Sequence, residues 1–388
     1  MPNGQAFGGL IMTEIYLIRH TQAEGNLYQM MQGHWDGGVT PLGLRQIDAL
    51  AERFRDIKLD RVFSSDLYRA MLTAQALTRF NELEVETDER FKEINVGSWE
   101  TQFFANVVWD DPERFDNFIH HPDDFYLEGA ETYAQVGQRG LNALIEKAEE
   151  NDGKVIGIAS HGITIRCIMS RLTGIPLDNV SDLPIFQNTA VTHLYYDGGE
   201  FTVDYMNDIS HLDDSIRKSS FKSPGLRDEC VDPRDYRNFY IECYADSWEN
   251  AHGSLDGFNG EEYFAAACRH HDENPEAVAI AFDNDKPVGI IDLDTTRLAN
   301  EGCGWISLIY LKKEYRHRCC GIQLLARAMF RYDRMGRDTL RLTVAEENTE
   351  ALDFYARWGF YKKSETRGAV SKLLLMEKKL RGERHGYV

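Results

Sequence analysis

The chain has 388 residues, of which 43% are apolar and 27% are charged, and its formal net charge is -20. This length exceeds the size at which one hydrophobic core keeps growing, so we expect two domains. The negative charge argues against nucleic acid as the main partner, and no stretch reaches the roughly 20 apolar residues that span a bilayer.

Strand-like and helix-like stretches alternate from Thr13 to Asp208. Strands that alternate with helices predict an α/β layer fold. The predicted strands are 14–18, 61–65 and 154–159, the predicted helices are 41–55 with Thr40 as N-cap, 66–80, 131–149 and 163–172, and a hairpin joins 190–196 to 201–205.

Two of the predicted strands end in a histidine, His20 and His161. Both strands are nearly continuously apolar, which is typical of strands buried on both faces of a parallel sheet. Ligands bind beyond the carboxyl ends of such strands. We therefore expect the two histidines to share one site.

The apolar periodicity ends between His211 and Pro233, where the chain is polar and rich in turn residues. The sequence predicts one domain over 12–211, a linker over 212–224 and a second domain over 225–382. An antiparallel-rich α+β module is indicated for the second domain, with helices at 233–248, 321–335 and 349–358 and strands at 277–282, 287–294, 305–311 and 340–345.

The cysteines and the leader indicate the compartment. The seven cysteines are an odd number without CxxC spacing, which is typical of reduced thiols. The leader from Met1 to Ile11 lacks the basic start of a signal peptide, and Met12 could be the natural start. We therefore expect a cytoplasmic protein without a membrane partner.

Several short motifs occur in order along the first domain. They are Arg19 to Asn26, Gln32-Gly33, Thr40 to Gly43, Ser64 to Ala70, Glu93 to Glu100, Gly129 to Glu131 and Ser160 to Gly162. Together they resemble the histidine phosphatase superfamily, the phosphoglycerate-mutase-like proteins. The resemblance covers the whole first domain and implies a three-layer α/β/α fold.

The resemblance also implies a phosphoryl-transfer site that requires no metal. In it His20 is the nucleophile that forms a phosphohistidine, and Glu93 gives a proton to the leaving group and later activates water. His161 is a phosphate ligand that stabilises the transition state. The remaining phosphate ligands are Arg19, Asn26 and Arg69. These residue types suit the chemistry, because guanidinium groups neutralise phosphoryl oxygens and a neutral imidazole can attack phosphorus.

Two positions depart from the family's pattern. Thr21 stands where the family has glycine after the histidine, so a Cβ occupies a position of close phosphate approach. The Thr21 hydroxyl could donate to the phosphate instead. Thr101 follows Glu100 where family members often carry glycine, which puts the shape of that loop in question.

Hydrolysis is favoured over a mutase reaction, because the domain is compact and family mutases tend to carry insertions that exclude water. The aromatic region from Phe103 to Tyr126 is predicted to be the substrate cap. Its adjacent His120 and His121 are not expected to bind metal. A phosphoglycerate-type mutase and a phospholigand-binding module without turnover stay open.

The second domain carries two further motifs. Leu311 to Leu325 follows a strand and opens a helix, an arrangement whose backbone amides bind pyrophosphate, and Asn348 to Phe360 follows the next strand. Together they resemble the GNAT family of acyl-CoA-dependent N-acyltransferases over about Gly225 to Leu380. The resemblance implies acetyl-CoA as cofactor and an amine as acceptor.

By this resemblance Tyr355 protonates the leaving thiolate, a suitable role for a phenol. Ile309 and Leu311 offer backbone groups to the pantetheine and the acetyl carbonyl, and Asn348 also contacts the cofactor. The loop around the pyrophosphate consists of Arg316, His317, Arg318, Cys319, Cys320, Gly321 and Ile322.

Cys319 stands where the GNAT pattern has its first glycine, which puts turnover in question. A domain that only binds or senses acetyl-CoA therefore stays open. No motif marks the general base, for which Glu301 and Glu346 are candidates. We expect a bifunctional protein whose partners are a small phosphate ester and an amine, with oligomer formation left open.

Overall fold

Two β-sheets organise the chain, one in each of two units that divide between Ser223 and Pro224. The computed structural model describes residues 12–217, 225–368 and 370–380, without the side chains of 179–181. The leader, residues 218–224 of the predicted linker 212–224, and the last predicted domain residues, 381–382, lie outside the described residues. The domain limits 12–211 and 225–382 stay predictions.

The first unit is built on a six-stranded sheet with the order β3-β2-β4-β1-β5-β6. Strands β1 to β4 run parallel, and β5 and β6 are antiparallel. The strands are β1 Thr13–Arg19, β2 Arg61–Ser64, β3 Val85–Thr87, β4 Val155–Ser160, β5 Val191–Asp197 and β6 Glu200–Asp208. The helices are α1 Glu24–Tyr28, α2 Pro41–Phe54, α3 Tyr68–Thr78, α4 Phe104–Asp110, α5 Pro112–His120, α6 Tyr133–Glu149 and α7 Gly162–Thr173.

Helices cover both faces of this sheet. On β1, Ile15 and Leu17 belong to a buried cluster with residues of α6 and α7, whereas Tyr16 and Ile18 belong to a cluster with residues of α2 and α3. Because successive side chains of a strand point to opposite faces, the sheet lies between two helical layers. The predicted three-layer α/β/α fold is confirmed.

The second unit is built on a seven-stranded sheet with the order β12-β13-β11-β10-β9-β8-β7. The strands are β7 Arg227–Cys230, β8 Val278–Asp283, β9 Lys286–Asp294, β10 Cys303–Leu311, β11 Thr339–Ala345, β12 Tyr361–Arg367 and β13 Lys372–Lys379. The helices are α8 Arg237–His252, α9 Gly260–Glu273, α10 Cys320–Arg334 and α11 Thr349–Arg357.

Strands β10 and β11 are the parallel neighbours in this otherwise antiparallel sheet. Their pairing covers Cys303–Trp305 on β10 and Thr339–Arg341 on β11. Beyond these residues the two strands are not paired within the described chain, and β10 carries a bulge between Ile306 and Leu308. The sheet therefore has an opening between β10 and β11.

Most predicted elements are present, and the exceptions have physical reasons. The predicted helix at 233–248 begins later, because Pro233–Tyr236 forms a 3-10 turn before α8. Helix α9 and strands β12 and β13 were not predicted, since their charged residues hide the apolar pattern. The described start of the predicted linker packs on the first unit through buried Leu212 and Ile216.

Candidate functional site

The two strand-ending histidines lie side by side in the first unit. Strands β1 and β4 are parallel neighbours in which Arg19 pairs with Ser160, and the His20 N–H donates to Ser160 O at 2.8 Å. The imidazole ring centroids of His20 and His161 are 5.0 Å apart. The rings are nearly inaccessible, with exposed fractions of 2% and 0%.

The environment of His20 keeps its imidazole neutral. Its Nδ1 lies 2.6 Å from Thr21 O, so Nδ1–H donates to this carbonyl and the lone pair is on Nε2. Burial lowers the pKa of His20 well below 6.5, and the charges of Arg69 and Arg19 lower it further. The site therefore presents a nucleophilic nitrogen at neutral pH.

His161 is held by a hydroxyl from the loop after β2. Its Nε2 lies 2.9 Å from Ser65 Oγ, and its Nδ1 is buried without a hydrogen-bond partner among the described residues. Burial lowers the pKa of His161 well below 6.5, with further lowering by Arg69 and His20. If Ser65 donates to Nε2, Nδ1–H remains available for a bound ligand.

Two arginines lie next to these histidines, and each has a buried Nε atom without a partner in the described chain. Arg19 donates to Phe186 O. Arg69 donates to Gly33 O at 2.8 Å and to Trp35 O at 2.9 Å. Burial lowers the pKa of Arg69 to about 10, so the guanidinium stays charged at neutral pH. Such buried charges with spare donors suit an anion.

The side chain of Glu93 lies against the first turn of α7, the helix that follows His161. Its Oε1 accepts from the Thr164 N–H at 3.2 Å, and its Oε2 accepts from the Ile163 N–H at 3.3 Å. Burial lowers the pKa of Arg19 and of Arg69, and the charge of Glu93 opposes this lowering. The amides of α7 therefore fix the carboxyl group beside the anion-binding donors.

Asn26 and a residue that sequence reasoning missed both bind backbone groups close to His20 in the chain. The Asn26 Oδ1 accepts from the Ala23 N–H at 3.0 Å, and its Nδ2 has no partner in the described chain. The missed residue is Asn188, whose Nδ2 donates to His20 O at 2.9 Å. The polar triplet Gln187-Asn188-Thr189, which ends one residue before β5, was the available signal.

Arg139 explains the Gly129 to Glu131 motif. Glu131 accepts two hydrogen bonds from Arg139, at 2.7 and 2.9 Å, and Arg139 in turn donates to Lys92 O and Glu93 O. Arg139 is a second residue that was missed. Because this pair binds the backbone on which Glu93 lies, it positions the carboxyl group.

Glu100 supports Arg69 through a loop. Its carboxylate accepts from the N–H groups of His34 and Trp35, at 2.7 and 2.9 Å. This loop supplies the carbonyls of Gly33 and Trp35 that bind Arg69. The motifs around Gly33 and Glu100 therefore orient one guanidinium group.

In the second unit, the opening between β10 and β11 leads into a cavity of about 670 Å³. The Lys312 N–H donates to Val288 O of β9. Since backbone groups alternate along a strand, the N–H and C=O of Ile309 and Leu311 face away from β9, toward the opening. These are the two residues for which backbone contacts to a cofactor were predicted.

The cavity collects most of the predicted cofactor residues but not all. Arg318 and Cys320 do not line it. The predicted residues that do line it are Ile309, Leu311, Arg316, His317, Cys319, Gly321, Ile322, Asn348 and Tyr355. Asn348 is partly engaged, because its Oδ1 accepts from the Ala351 N–H at 3.1 Å and so caps α11.

Tyr355 is 9% exposed and faces the cavity from α11. Its hydroxyl has no hydrogen-bond partner among the described residues, and burial raises its pKa above the ordinary value of 10.0. The phenol therefore stays protonated. Neither Glu301 nor Glu346 lines the cavity, since Glu301 pairs with Arg341 at 2.7 Å and Glu346 with Lys372 at 3.1 Å. Both candidates for the general base therefore lie outside the cavity lining.

Comparison with protein families identifies both units. A family model for the histidine phosphatase superfamily (branch 1) matches residues 15–209. The chain belongs to the histidine phosphatase superfamily. A model for the acetyltransferase (GNAT) family matches residues 235–360, so the histidine phosphatase domain is followed by a GNAT domain.

Similar proteins match the histidine phosphatase domain. One is "Putative phosphoserine phosphatase 2" of Hydrogenobacter thermophilus, 30% identical over 52% of this chain and 98% of that protein. Another is "Probable phosphoglycerate mutase GpmB" of Proteus mirabilis, 26% identical over 52% of this chain and 96% of that protein. The solved structure of Bacillus stearothermophilus YhfR is 30% identical, with a TM-score of 0.50 over 51% of this chain and 98% of that one.

Thr21, Thr101 and Cys319 are the three residues that depart from the family patterns, and their conformations differ. The Thr21 hydroxyl donates to Gly43 O at 2.6 Å, so the suggestion that it serves the phosphate is not borne out. Thr101 and Cys319 keep the left-handed backbone that favours glycine, with φ of 65° and 62°. Each of these two residues therefore carries a Cβ in a backbone region that disfavours it, at a cost of roughly 1 kcal/mol.

Among the described residues, no group of three or more His, Cys, Asp or Glu side chains is arranged to hold a metal ion. His121 instead lies 3.9 Å from Asp116. In the same part of the chain, no helix is both long and apolar enough to cross a membrane.

Proposed function

We propose that the histidine phosphatase domain hydrolyses phosphate monoesters through a phosphohistidine at His20. The observation that carries this proposal is the neutral His20 imidazole, whose Nδ1–H is bound to Thr21 O while its ring lies against His161. A neutral imidazole with one fixed tautomer is a suitable nucleophile for phosphorus.

The unpartnered donors around His20 support a phosphoryl group as the ligand. The buried Nε atoms of Arg19 and Arg69 and the Nδ1 of His161 lack partners among the described residues. Phosphoryl oxygens would accept from all three, and Asn26 Nδ2 is a further donor. Charge on these oxygens is what the transition state of phosphoryl transfer requires to be neutralised.

Glu93 supplies the proton transfers in this scheme. His20 Nε2 forms a bond to phosphorus while the bond to the ester oxygen breaks, and the Glu93 carboxyl proton passes to that oxygen. Water then attacks phosphorus, the N–P bond breaks, and the Glu93 carboxylate takes the proton of the water. The contacts of Glu93 with the α7 amides support this orientation.

Phosphoserine and 3-phosphoglycerate are the substrates to test first, because one similar protein carries a phosphoserine phosphatase name and another a phosphoglycerate mutase name. The measurement is release of inorganic phosphate and formation of an acid-labile phosphoenzyme, with and without the change His20→Ala. Loss of both in the variant is expected. Unchanged phosphate release would overturn the nucleophile assignment, and movement of label between phosphoglycerate positions without release would favour the mutase.

We propose that the GNAT domain transfers an acetyl group from acetyl-CoA to an amine. The opening between β10 and β11 supports this, because it leaves backbone groups of Ile309 and Leu311 toward the cavity that Tyr355 also faces. The residues present fit the cofactor. The pantetheine would lie along β10, the pyrophosphate at the loop from Arg316 to Ile322 that opens α10, and the thiol near Tyr355.

Acetyl-CoA binding and thiol release test the second activity separately from the first. Calorimetric binding of acetyl-CoA followed by thiol release with an amine panel is the expected result. Binding without thiol release would favour the sensor alternative.

All seven cysteines are free, which supports the reducing cytoplasm as the compartment.

A further inference from the structure

One face of α8 forms a wall of the GNAT cavity. Tyr244, Ser247, Trp248, Ala251 and His252 recur at the spacing of one helical face, and all five line the cavity. These residues lie apart in sequence from the loop and from α11, where the cofactor residues are found. The wall therefore belongs to a part of the cavity that the cofactor assignment leaves unexplained.

Aromatic rings dominate this wall. The rings of Tyr244 and Tyr263 are stacked with centroids 5.0 Å apart, and Tyr263 is stacked on Phe258 at 5.7 Å. Trp248 contacts Tyr263 at 6.0 Å and His252 at 4.4 Å. Such a cluster provides flat apolar surface for a ring or for the face of a cationic group.

The wall carries no permanent charge. None of the lining residues described on α8, on α9 or on the turn between β12 and β13 is Asp, Glu, Lys or Arg. The charged side chains that line the cavity come from the pyrophosphate loop and α11, and they are Arg316, Glu350, Asp353 and Arg357. An acceptor with several cationic groups would find no carboxylate on this wall.

Trp248 offers a specific hydrogen bond. Its Nε1 atom is buried and has no partner among the described residues. The neighbouring Tyr244 hydroxyl is already used, because it donates to Asp292, which also binds His270 Nδ1 at 2.6 Å. A ligand oxygen on this wall would therefore receive its hydrogen bond from the indole, while Tyr244 contributes its ring.

His252 presents an imidazole nitrogen on this wall. Its Nδ1 lies 3.2 Å from Ser371 Oγ, and its Nε2 has no partner among the described residues. The other polar side chains described on the wall are hydroxyl, amide and indole groups, which do not take up a proton at neutral pH. This geometry provides a base that no motif marks.

We propose that the acetyl acceptor is a primary amine on an aromatic skeleton that also carries an oxygen acceptor, and that His252 takes its proton. The inference rests on the proposed acetyl transfer. The amine nitrogen gives a proton to His252 Nε2 and forms the C–N bond, the thioester C–S bond breaks, and the sulfur takes the proton of the Tyr355 hydroxyl.

The experiment uses the full chain saturated with CoA and measures amine binding by calorimetry, then acetyl transfer by thiol release. The probes are tyramine, 2-phenylethylamine, spermidine and lysine. Tyramine is expected to bind most tightly, because its ring fits the aromatic wall and its phenol oxygen accepts from Trp248 Nε1. The change Trp248→Phe should weaken tyramine binding roughly threefold to tenfold, and 2-phenylethylamine binding less.

A second substitution tests the role of His252 as the base. His252→Gln keeps a polar side chain of similar size, so tyramine binding is expected to persist while kcat falls about 100-fold. Trp305→Phe is the control for replacing an indole, because Trp305 lies in the same unit, against Arg297, outside the cavity lining. Retained acetyl-CoA binding by each variant checks the integrity of the second unit.

The outcomes separate the two proposals. If acetyl-CoA binds and spermidine or lysine is acetylated while the aromatic amines neither bind nor react, the acceptor class is wrong and acetyl transfer stands. If kcat of His252→Gln equals that of the unchanged protein, His252 is not the base. If acetyl-CoA does not bind, acetyl transfer fails and this inference fails with it.

Discussion

The two units hold their reacting groups in different ways. In the histidine phosphatase domain, His20 and His161 follow adjacent parallel strands and are fully packed, with partners such as Thr21 O and Ser65 Oγ. In the GNAT domain, two parallel strands diverge beside a cavity, and the hydroxyl of Tyr355, which faces this cavity, has no hydrogen-bond partner among the described residues.

This difference shows two uses of parallel strand ends. Where the strands stay paired, side chains beyond their ends come within reach of one phosphoryl group. Where they separate, the backbone itself faces the ligand, and side chains are needed only at the margins. The first site should therefore depend on its supporting hydrogen bonds, and the second on individual free groups.

Among changes that test this comparison, the largest effect is expected from removing such a free group. Tyr355→Phe should lower kcat for acetyl transfer about 100-fold, because the leaving sulfur loses its proton donor. Acetyl-CoA binding by calorimetry and phosphate release should stay unchanged. An unchanged kcat for acetyl transfer would mean that Tyr355 only fills space.

A support in the first unit should give a smaller effect. Glu131→Gln weakens the hold on Arg139 and hence on the backbone of Glu93, so kcat for phosphate release should fall about tenfold with little change in KM. Glu146→Gln is the control, since Glu146 pairs with Arg90 at the surface. Equal effects of the two changes would contradict the positioning role.

The two units should also respond to pH in opposite directions. The pKa values of His20 and His161 lie below 6.5, so the unfolded state binds more protons and the first unit loses stability as pH falls below about 6.5. Burial alone would lower the pKa of His270, but its hydrogen bond to Asp292 raises it. This contribution to the second unit is present below 6.5 and is lost as pH rises through the raised pKa.

Hydrogen exchange of the full chain at pH 5.5 and 7.5 measures this contrast unit by unit. Each histidine should change the free energy of unfolding by about 1.4 kcal/mol for every pH unit between its pKa in the folded and the unfolded state. His161→Asn should reduce the acid sensitivity of the first unit alone. Parallel pH responses in both units would count against these assignments.

The smallest effect concerns the left-handed positions. Cys319→Gly should raise the stability of the GNAT domain by about 1 kcal/mol, because it removes a Cβ from a residue with φ of 62°. Thr101→Gly is the matched change in the first unit, where φ is 65°. Thermal unfolding measures both, and a loss of stability in either would show that the side chain makes compensating contacts.

Much of the first site could be predicted from the sequence, because the chemistry lies in motifs at the ends of strands. The sequence placed His20, His161, Arg19 and Glu93 in ordered motifs, and the structure brings them together. Arg139 and Asn188 escaped prediction, since each acts on the backbone of a residue far away in the chain. Nothing in their local pattern marks these partners.

The sequence by itself determined the order of the two domains, the strands that deliver His20 and His161, and the loop that opens α10, because these depend on local periodicity and short motifs. The tertiary structure decided three features: the divergence of β10 from β11, the orientation of the Ile309 backbone groups, rather than those of Tyr310, toward the opening, and the aromatic wall on α8. Strand pairing and helix packing join residues that are distant in the chain, and local patterns carry no record of those contacts.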